Sequence, residues 1–192
     1  MIEAKEDVTV DEYFNDYVPK IFAEQLQSTA VSGMDDTQAK IVFNISGREP
    51  QTWSIVIKDA KDLKVVQGPV TDPLVTLDMD EGTWRDAVTG KLPGAIDMFT
   101  DVNKVANRVR FDKISDMKGT LVLNLARADG SPIDLAVTFN GAERPKATFT
   151  CSIDCWKDLS SGKVTGVTAF MGGQLKIEGD MPFAIELSNL VG

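Results

Sequence analysis

Gly162 to Leu190 reads GKVTGVTAFMGGQLKIEGDMPFAIELSNL, and its periodicity decides what kind of fold the chain builds. Val167 to Met171 forms a short apolar helix, Gly172-Gly173 breaks it, and Gln174 to Glu178 alternates as a strand. Gly179-Asp180 then turns the chain into an amphipathic C-terminal helix. Apolar side chains dominate one side of every element, and the stretch holds no nucleophile, base or metal cluster. Such a segment encloses an apolar space and does not assemble a reaction centre.

Working upstream, Lys146-Ala-Thr-Phe-Thr-Cys-Ser-Ile-Asp154 alternates as a strand, and Trp156 to Gly162-Lys163 follows as a helix and its stop. The ordered series from Lys146 to Leu190, densest at Ala169-Phe-Met-x-Gly-x-Leu-Lys-Ile-x-Gly-Asp-Met181, resembles the closing segment of sterol carrier protein type 2 domains. The resemblance implies a strand and a C-terminal helix that shut a hydrophobic lipid-binding tunnel, with that helix as a lid. It makes Trp156, Leu159, Val167, Phe170, Met171, Leu175, Ile177, Met181, Phe183, Leu187 and Leu190 the candidate ligand-binding residues. Residue type alone leaves two readings open for this set, because a lined cavity and a packed core use the same side chains. Met171 and Met181 suit a lined site, since thioethers adapt to varied ligand shapes.

The whole chain agrees with a binding role. Its 192 residues suffice to bury roughly 70% of the unfolded surface, so a core forms without staples. The formal charge of −9 opposes nucleic acid and anionic membranes as partners, both being polyanions. At most a transient membrane contact is expected. Histidine is absent, which removes the commonest metal ligand and general base near neutral pH. No apolar run approaches the roughly 20 residues that span a bilayer. The start, Met-Ile-Glu-Ala-Lys-Glu-Asp, has neither the basic nor the apolar part of a signal peptide, so the cytoplasm is the expected location.

Catalytic alternatives fail one by one. Asp78, Asp80 and Asp154 end strands, where Asp is expected as a helix N-cap rather than as an acid/base pair. Cys151 and Cys155 have no histidine or third cysteine to complete a metal site, and read as small buried hydrophobes. Ser160-Ser161-Gly162-Lys163 is too short for a phosphate loop, and Gly172-Gly173 fits no dinucleotide fingerprint. No enzyme activity and no cofactor are expected.

Towards the N-terminus, Thr9 with Glu12 forms a capping box. Tyr13, Phe14, Tyr17, Val18, Ile21, Phe22 and Leu26 follow as one apolar helical face, with a kink or break expected at Pro19. From Lys40 the period falls to two through Ile41, Phe43 and Ile45, then Trp53, Ile55 and Ile57. A further strand is expected at Lys64 to Gln67, then one from Leu74 to Met79, the four forming an antiparallel meander. Glu81 to Val88 reads as a helix stopped by Gly90.

The second half repeats this programme imperfectly. Lys40-Ile-Val-Phe-Asn-Ile-Ser46 is echoed by Thr120-Leu-Val-Leu-Asn-Leu-Ala126. Val75 to Asp80 is echoed by Phe149 to Asp154, and Trp84 with Gly90-Lys91 by Trp156 with Gly162-Lys163. After Pro93 to Phe99 the first half lacks the Gly-x-Leu-Lys-Ile strand; Asp101 to Met117 stands there, with Val102, Val105, Ala106 and Val109 at helical spacing. The second half has no room for the Lys64–Gln67 strand. Each half lacks one element, so the halves, residues 1–118 and 119–192, are expected to pack together and complete one another.

The expectation is therefore an α+β fold (SCP2-like), with an antiparallel sheet or two abutting sheets covered by helices. Its function is to bind or transfer a hydrophobic small molecule: a fatty acid, acyl-CoA or sterol-like lipid. Scattered Lys and Arg disfavour acyl-CoA, whose phosphates need cationic partners. The alternative is a protein-interaction or scaffold module with the cavity filled, in which the apolar C-terminal face serves a homodimer.

Overall fold

Alternate residues of β1 (Gln38–Ser46) put Ala39, Ile41, Phe43 and Ile45 on one side, all buried. The computed structural model describes residues 4–96 and 100–191; Met1 to Glu3, Gly192, and Asp97 to Phe99 of the stretch after Pro93 lie outside them. The other strands are β2 (Gln51–Lys58), β3 (Asp62–Gln67), β4 (Val75–Asp80), β5 (Gly119–Ala126), β6 (Pro132–Phe139), β7 (Lys146–Ser152) and β8 (Lys176–Gly179). They form one eight-stranded sheet in the order β3-β2-β1-β4-β6-β5-β7-β8. Of the two arrangements the sequence allowed, the single sheet is the one observed.

Register aligns the apolar sides. Phe43 sits beside Trp53 and Leu77, Leu77 beside Val137, and Leu123 beside Leu135 and Phe149. These residues form the core. The opposite face is polar and cross-linked: Thr52 Oγ1 donates to Asn44 Oδ1 at 3.0 Å, and Asn44 Nδ2 donates to Asp78 Oδ1 at 2.8 Å.

The antiparallel meander extends only through β1, β2 and β3. β4 instead crosses back and pairs with β1 in parallel. Two parallel neighbours need a long crossover between them, and β2, β3 and the segment up to Leu74 supply it. The second half pairs in the same way, with β5–β6 antiparallel and β5–β7 parallel. Where the halves meet, β4 and β6 pair antiparallel. β4 therefore flanks β6 as β3 flanks β2, while β6 flanks β4 as β8 flanks β7.

Helix α1 (residues 10–28) begins with the expected capping box: Glu12 N–H donates to Thr9 Oγ1 at 3.2 Å and Thr9 N–H to Glu12 Oε2 at 3.3 Å. Pro19 does not break it. A π-helical turn, Tyr13–Tyr17, joins α-helical Val10–Glu12 to Val18–Ser28. Proline lacks an N–H and crowds the carbonyl four residues earlier. The wider turn directly ahead of it absorbs both effects. Phe14 stacks on Trp53 (centroids 5.2 Å apart) and Tyr13 meets Trp84 edge-on at 5.6 Å, which fixes α1 over the first half of the sheet.

The remaining helices with both ends among the described residues are α2 (Glu81–Val88), α3 (Val102–Val105), α4 (Arg108–Asp116), α5 (Ile153–Ser160), α6 (Gly166–Met171) and α7 (Met181–Val191). The helical spacing from Val102 to Val109 does not make one helix. Asn107 intervenes and caps α4, accepting from Arg110 N–H at 3.0 Å, and Val109 turns outward at 67% exposure.

Candidate ligand cavity

The cavity at the C-terminal end of the sheet is framed by a series of local caps. Ser152 ends β7 and accepts from Cys155 N–H at 3.2 Å, starting α5 with Trp156 and Leu159 turned inward and buried. Gly162 takes a positive φ of 71° and stops α5. Thr165 caps α6 by accepting from Thr168 N–H at 3.2 Å. After Gly172-Gly173, Leu175 N–H returns to Ala169 O at 3.1 Å, and β8 adds to the sheet edge with Ile177 beside Phe149. Asp180 then accepts from Phe183 N–H at 2.9 Å and launches α7.

These elements enclose about 530 Å³, within the ordinary range of small-molecule sites. Phe149 and Ile177 contribute from the sheet, Trp156 and Leu159 from α5, Val167 and Phe170 from α6, and Met181, Ala184 and Ile185 from α7. Among the described residues Thr165 and Ser188 are the side-chain hydroxyls in the wall, and no Asp, Glu, Lys or Arg lines it. Val167, Phe170, Met181 and Ile185 are also exposed apolar residues, so apolar surface continues outward from the cavity.

Of the candidate residues, Trp156, Leu159, Val167, Phe170, Leu175, Ile177 and Met181 lie in this wall. Met171, at the end of α6, is 82% exposed and lies outside it. Phe183, Leu187 and Leu190 are buried but also outside it. The reason is the geometry of α7, which has two apolar stripes. Residues 183, 187 and 190 form one, and residues 181, 184 and 185 the other, which Ser188 extends with a hydroxyl. The first stripe packs into the core while the second faces the cavity.

Several wall residues were not singled out from sequence: Phe149, Val164, Thr165, Ala184, Ile185 and Ser188. For Ala184, Ile185 and Ser188 the readable signal is the i, i+3, i+4, i+7 spacing from Met181; nothing comparable marks Phe149, Val164 and Thr165.

The aspartates differ in role. Asp80 accepts from Thr83 N–H at 2.6 Å and caps α2, as its position predicts. Asp154 is not a cap. β7 ends two residues earlier, Ser152 takes that role, and Asp154 lies in the first turn of α5, where a carboxylate favours the helix dipole. Asp78 serves the cross-strand bond from Asn44. Cys151 and Cys155 are free thiols; burial, then the adjacent Cys155, pushes Cys151 up to about 12. Among the described residues no group of three or more metal-ligating side chains converges, and no helix is long and apolar enough to cross a membrane.

Solved structures similar to the chain include the sterol carrier protein domain 2 of Helicoverpa armigera, at 30% identity over 44% of this chain and 72% of that one, with a TM-score of 0.36. The apo form of sterol carrier protein 2 from Yarrowia lipolytica is 22% identical over 41% of this chain and 76% of that one, TM-score 0.35. Palmitated SCP2L2 from Aedes aegypti is 14% identical over 96% of this chain and 95% of that one, TM-score 0.26. No curated protein matches the chain. The sequence model of the SCP-2 sterol transfer family matches residues 97–192, the half that contains β5 to β8, α5 to α7 and every residue of the cavity wall, and the chain belongs to that family.

Proposed function

We propose that the protein binds a hydrophobic small molecule, a fatty acid or sterol-like lipid, in the cavity between α5, α6, β8 and α7, and carries it without chemical change. The observation that supports this reading is an apolar space of about 530 Å³ whose described lining residues carry no charge. Each methylene moved there from water contributes about 0.8 kcal/mol. A long acyl chain thus reaches roughly micromolar affinity after association and ordering costs. Among the described residues the wall offers neither a cation for acyl-CoA phosphates nor a charged acid or base for catalysis.

α7 is the closing element in this reading. It carries wall residues on one stripe and core residues on the other, so ligand exchange requires it to tilt away from β8. Brief contact of Phe170, Met171 and Ile185 with a membrane would present the opened cavity to lipid. A designed disulfide from α7 to the sheet is expected to slow ligand exchange; unchanged exchange would count against the lid.

Residues 1–118 and 119–192 are read as two unequal copies, with 40–99 the weaker match. Their shared strand pairing and the spacing of Trp84 to Gly90 and Trp156 to Gly162 support this.

Native mass spectrometry of freshly purified protein tests the main proposal. A stoichiometric lipid, or uptake of a fluorescent fatty acid, is the expected result. An empty protein that takes up neither would favour the interaction module. The exposure of Val167, Met171 and Ile185, at 64%, 82% and 61%, is the observation on that side.

A further inference from the structure

A second cavity, of about 290 Å³, lies under α1; most of its wall precedes the family match, and Thr100 and Asp101 come from the matched residues. Its apolar wall comes from Tyr13 and Phe22 of α1, Ile55 and Ile57 of β2, Leu63 of β3, and Ala87 near the end of α2. We propose that it is a separate binding site for a small neutral hydrocarbon bearing a hydroxyl group. The proposal does not depend on what occupies the larger cavity.

The position is built by the same local geometry as the larger site. α2 starts at a capped strand end, buries Trp84 and stops at Gly90, where φ is 80°; α5 starts at Ser152, buries Trp156 and stops at Gly162, where φ is 71°. Each cavity lies beside the end of that helix, and Gly90 and Gly162 belong to the two walls. α1 covers the first site and α7 the second. The smaller site has a little over half the volume of the larger, which selects a shorter chain or a single ring system.

The polar side of the wall selects the head group. Among the described residues it consists of Gln25, Thr100 and Asp101. Gln25 Oε1 accepts from Val102 N–H at 3.0 Å, so the Gln25 amide N–H groups remain as the donors for a ligand. Asp101 Oδ1 accepts from Asn103 N–H at 2.9 Å and Asn103 Nδ2 at 3.1 Å, leaving the second carboxylate oxygen as an acceptor. A hydroxyl suits either group, accepting from the Gln25 amide or donating to the free Asp101 oxygen. A carboxylate or phosphate ligand would meet Asp101 as a like charge, and among the described residues no Lys or Arg lines the cavity to offset it. The larger wall has no charged residue among those described, so the two sites differ in head-group selectivity as well as size.

The experiment uses the full chain, methyl-labelled at isoleucine and leucine, titrated with 1-decanol and separately with decanoate. Ile55, Ile57 and Leu63 report the smaller cavity; Ile177 and Ile185 report the larger. Decanol is expected to shift the first group saturably, with decanoate roughly ten-fold weaker or more at those residues. Asp101→Asn, which retains a capping side chain, is expected to narrow that difference. Ala87→Phe, which fills the void, is expected to abolish the Ile57 shift while leaving the Ile177 response intact. No saturable shift at Ile55, Ile57 and Leu63 in the unsubstituted protein would overturn the site, whatever Ile177 and Ile185 do. Equal affinity for decanol and decanoate at those residues would overturn the neutral head group. Silence at Ile177 and Ile185 alone would count against the larger cavity and not this one.

Discussion

The indole N–H of Trp156 donates to the carbonyl oxygen of Pro93 at 2.9 Å, and the two residues belong to the walls of different cavities, Trp156 to the larger and Pro93 to the smaller. This one bond ties α5 to the connection that follows α2. Trp84 of α2 is equally buried, yet its indole nitrogen has no hydrogen-bond partner. Trp156→Phe and Trp84→Phe remove similar volume, but only the first leaves a carbonyl without its donor. Trp156→Phe should therefore be the more destabilising, by about 1 kcal/mol, in urea denaturation. Equal losses would show that the Pro93 bond contributes nothing net.

Arg110 Nη1 donates to Leu190 O at 2.7 Å near the C-terminal end of α7. A cation there satisfies an unpaired carbonyl and opposes the helix dipole. Burial lowers the Arg110 pKa from its ordinary value, the sign expected when a charged group is desolvated. Arg110→Met, which keeps the apolar stem, should accelerate amide exchange across α7 and cost about 1–2 kcal/mol of stability. Unchanged exchange in α7 would show that core packing alone holds the helix.

Gly179 has a φ of 96°, and a Cβ there would collide with the backbone carbonyl of Lys146 on β7. Gly173 has a φ of 70° with nothing within 4 Å of that position. Gly173→Ala should cost about 1–2 kcal/mol, from backbone conformation alone. Gly179→Ala should cost more and release β8, raising exchange at Ile177 and Glu178. Thermal unfolding of the two variants reads the difference.

Ser152→Ala removes the true cap of α5 and should cost about 1 kcal/mol, whereas Asp154→Ala should cost only a few tenths. The reverse order, measured by denaturation, would restore Asp154 as the cap.

Cys151 ionises at about 12 in the folded protein against 9.0 for an unperturbed thiol. Above pH 9 the unfolded chain releases this proton and the folded chain keeps it. Stability from this group is thus complete below pH 9 and declines as pH rises towards 12. Wild type should lose stability relative to Cys151→Val across that interval and match its slope below it. Parallel curves throughout would mean that the thiol ionises alike in both states.

Much of the architecture was legible because its signals are local. The capping box at Thr9, the alternation of Ile41, Phe43 and Ile45, the helix from Glu81 to Val88 and the helix–strand–helix order after Gly162 each depend on neighbours within a few residues. The two-residue displacement at Asp154 was not legible, because strand ends are set by hydrogen bonds to a partner strand, here Ala126 beside Ser152.

The sequence by itself determined the α+β class, the apolar character of the closing segment and the absence of histidine chemistry, since composition and periodicity are properties of the chain. Tertiary structure alone decided three things. It set β4 and β7 parallel to β1 and β5, because alternation reports which face a side chain takes and not the direction of its neighbour. It divided α7 into a core stripe and a cavity stripe, because both are apolar and only packing distinguishes them. It left space beside Trp156 and under Tyr13, because a void is the distance between elements remote in sequence, and no residue type encodes that distance.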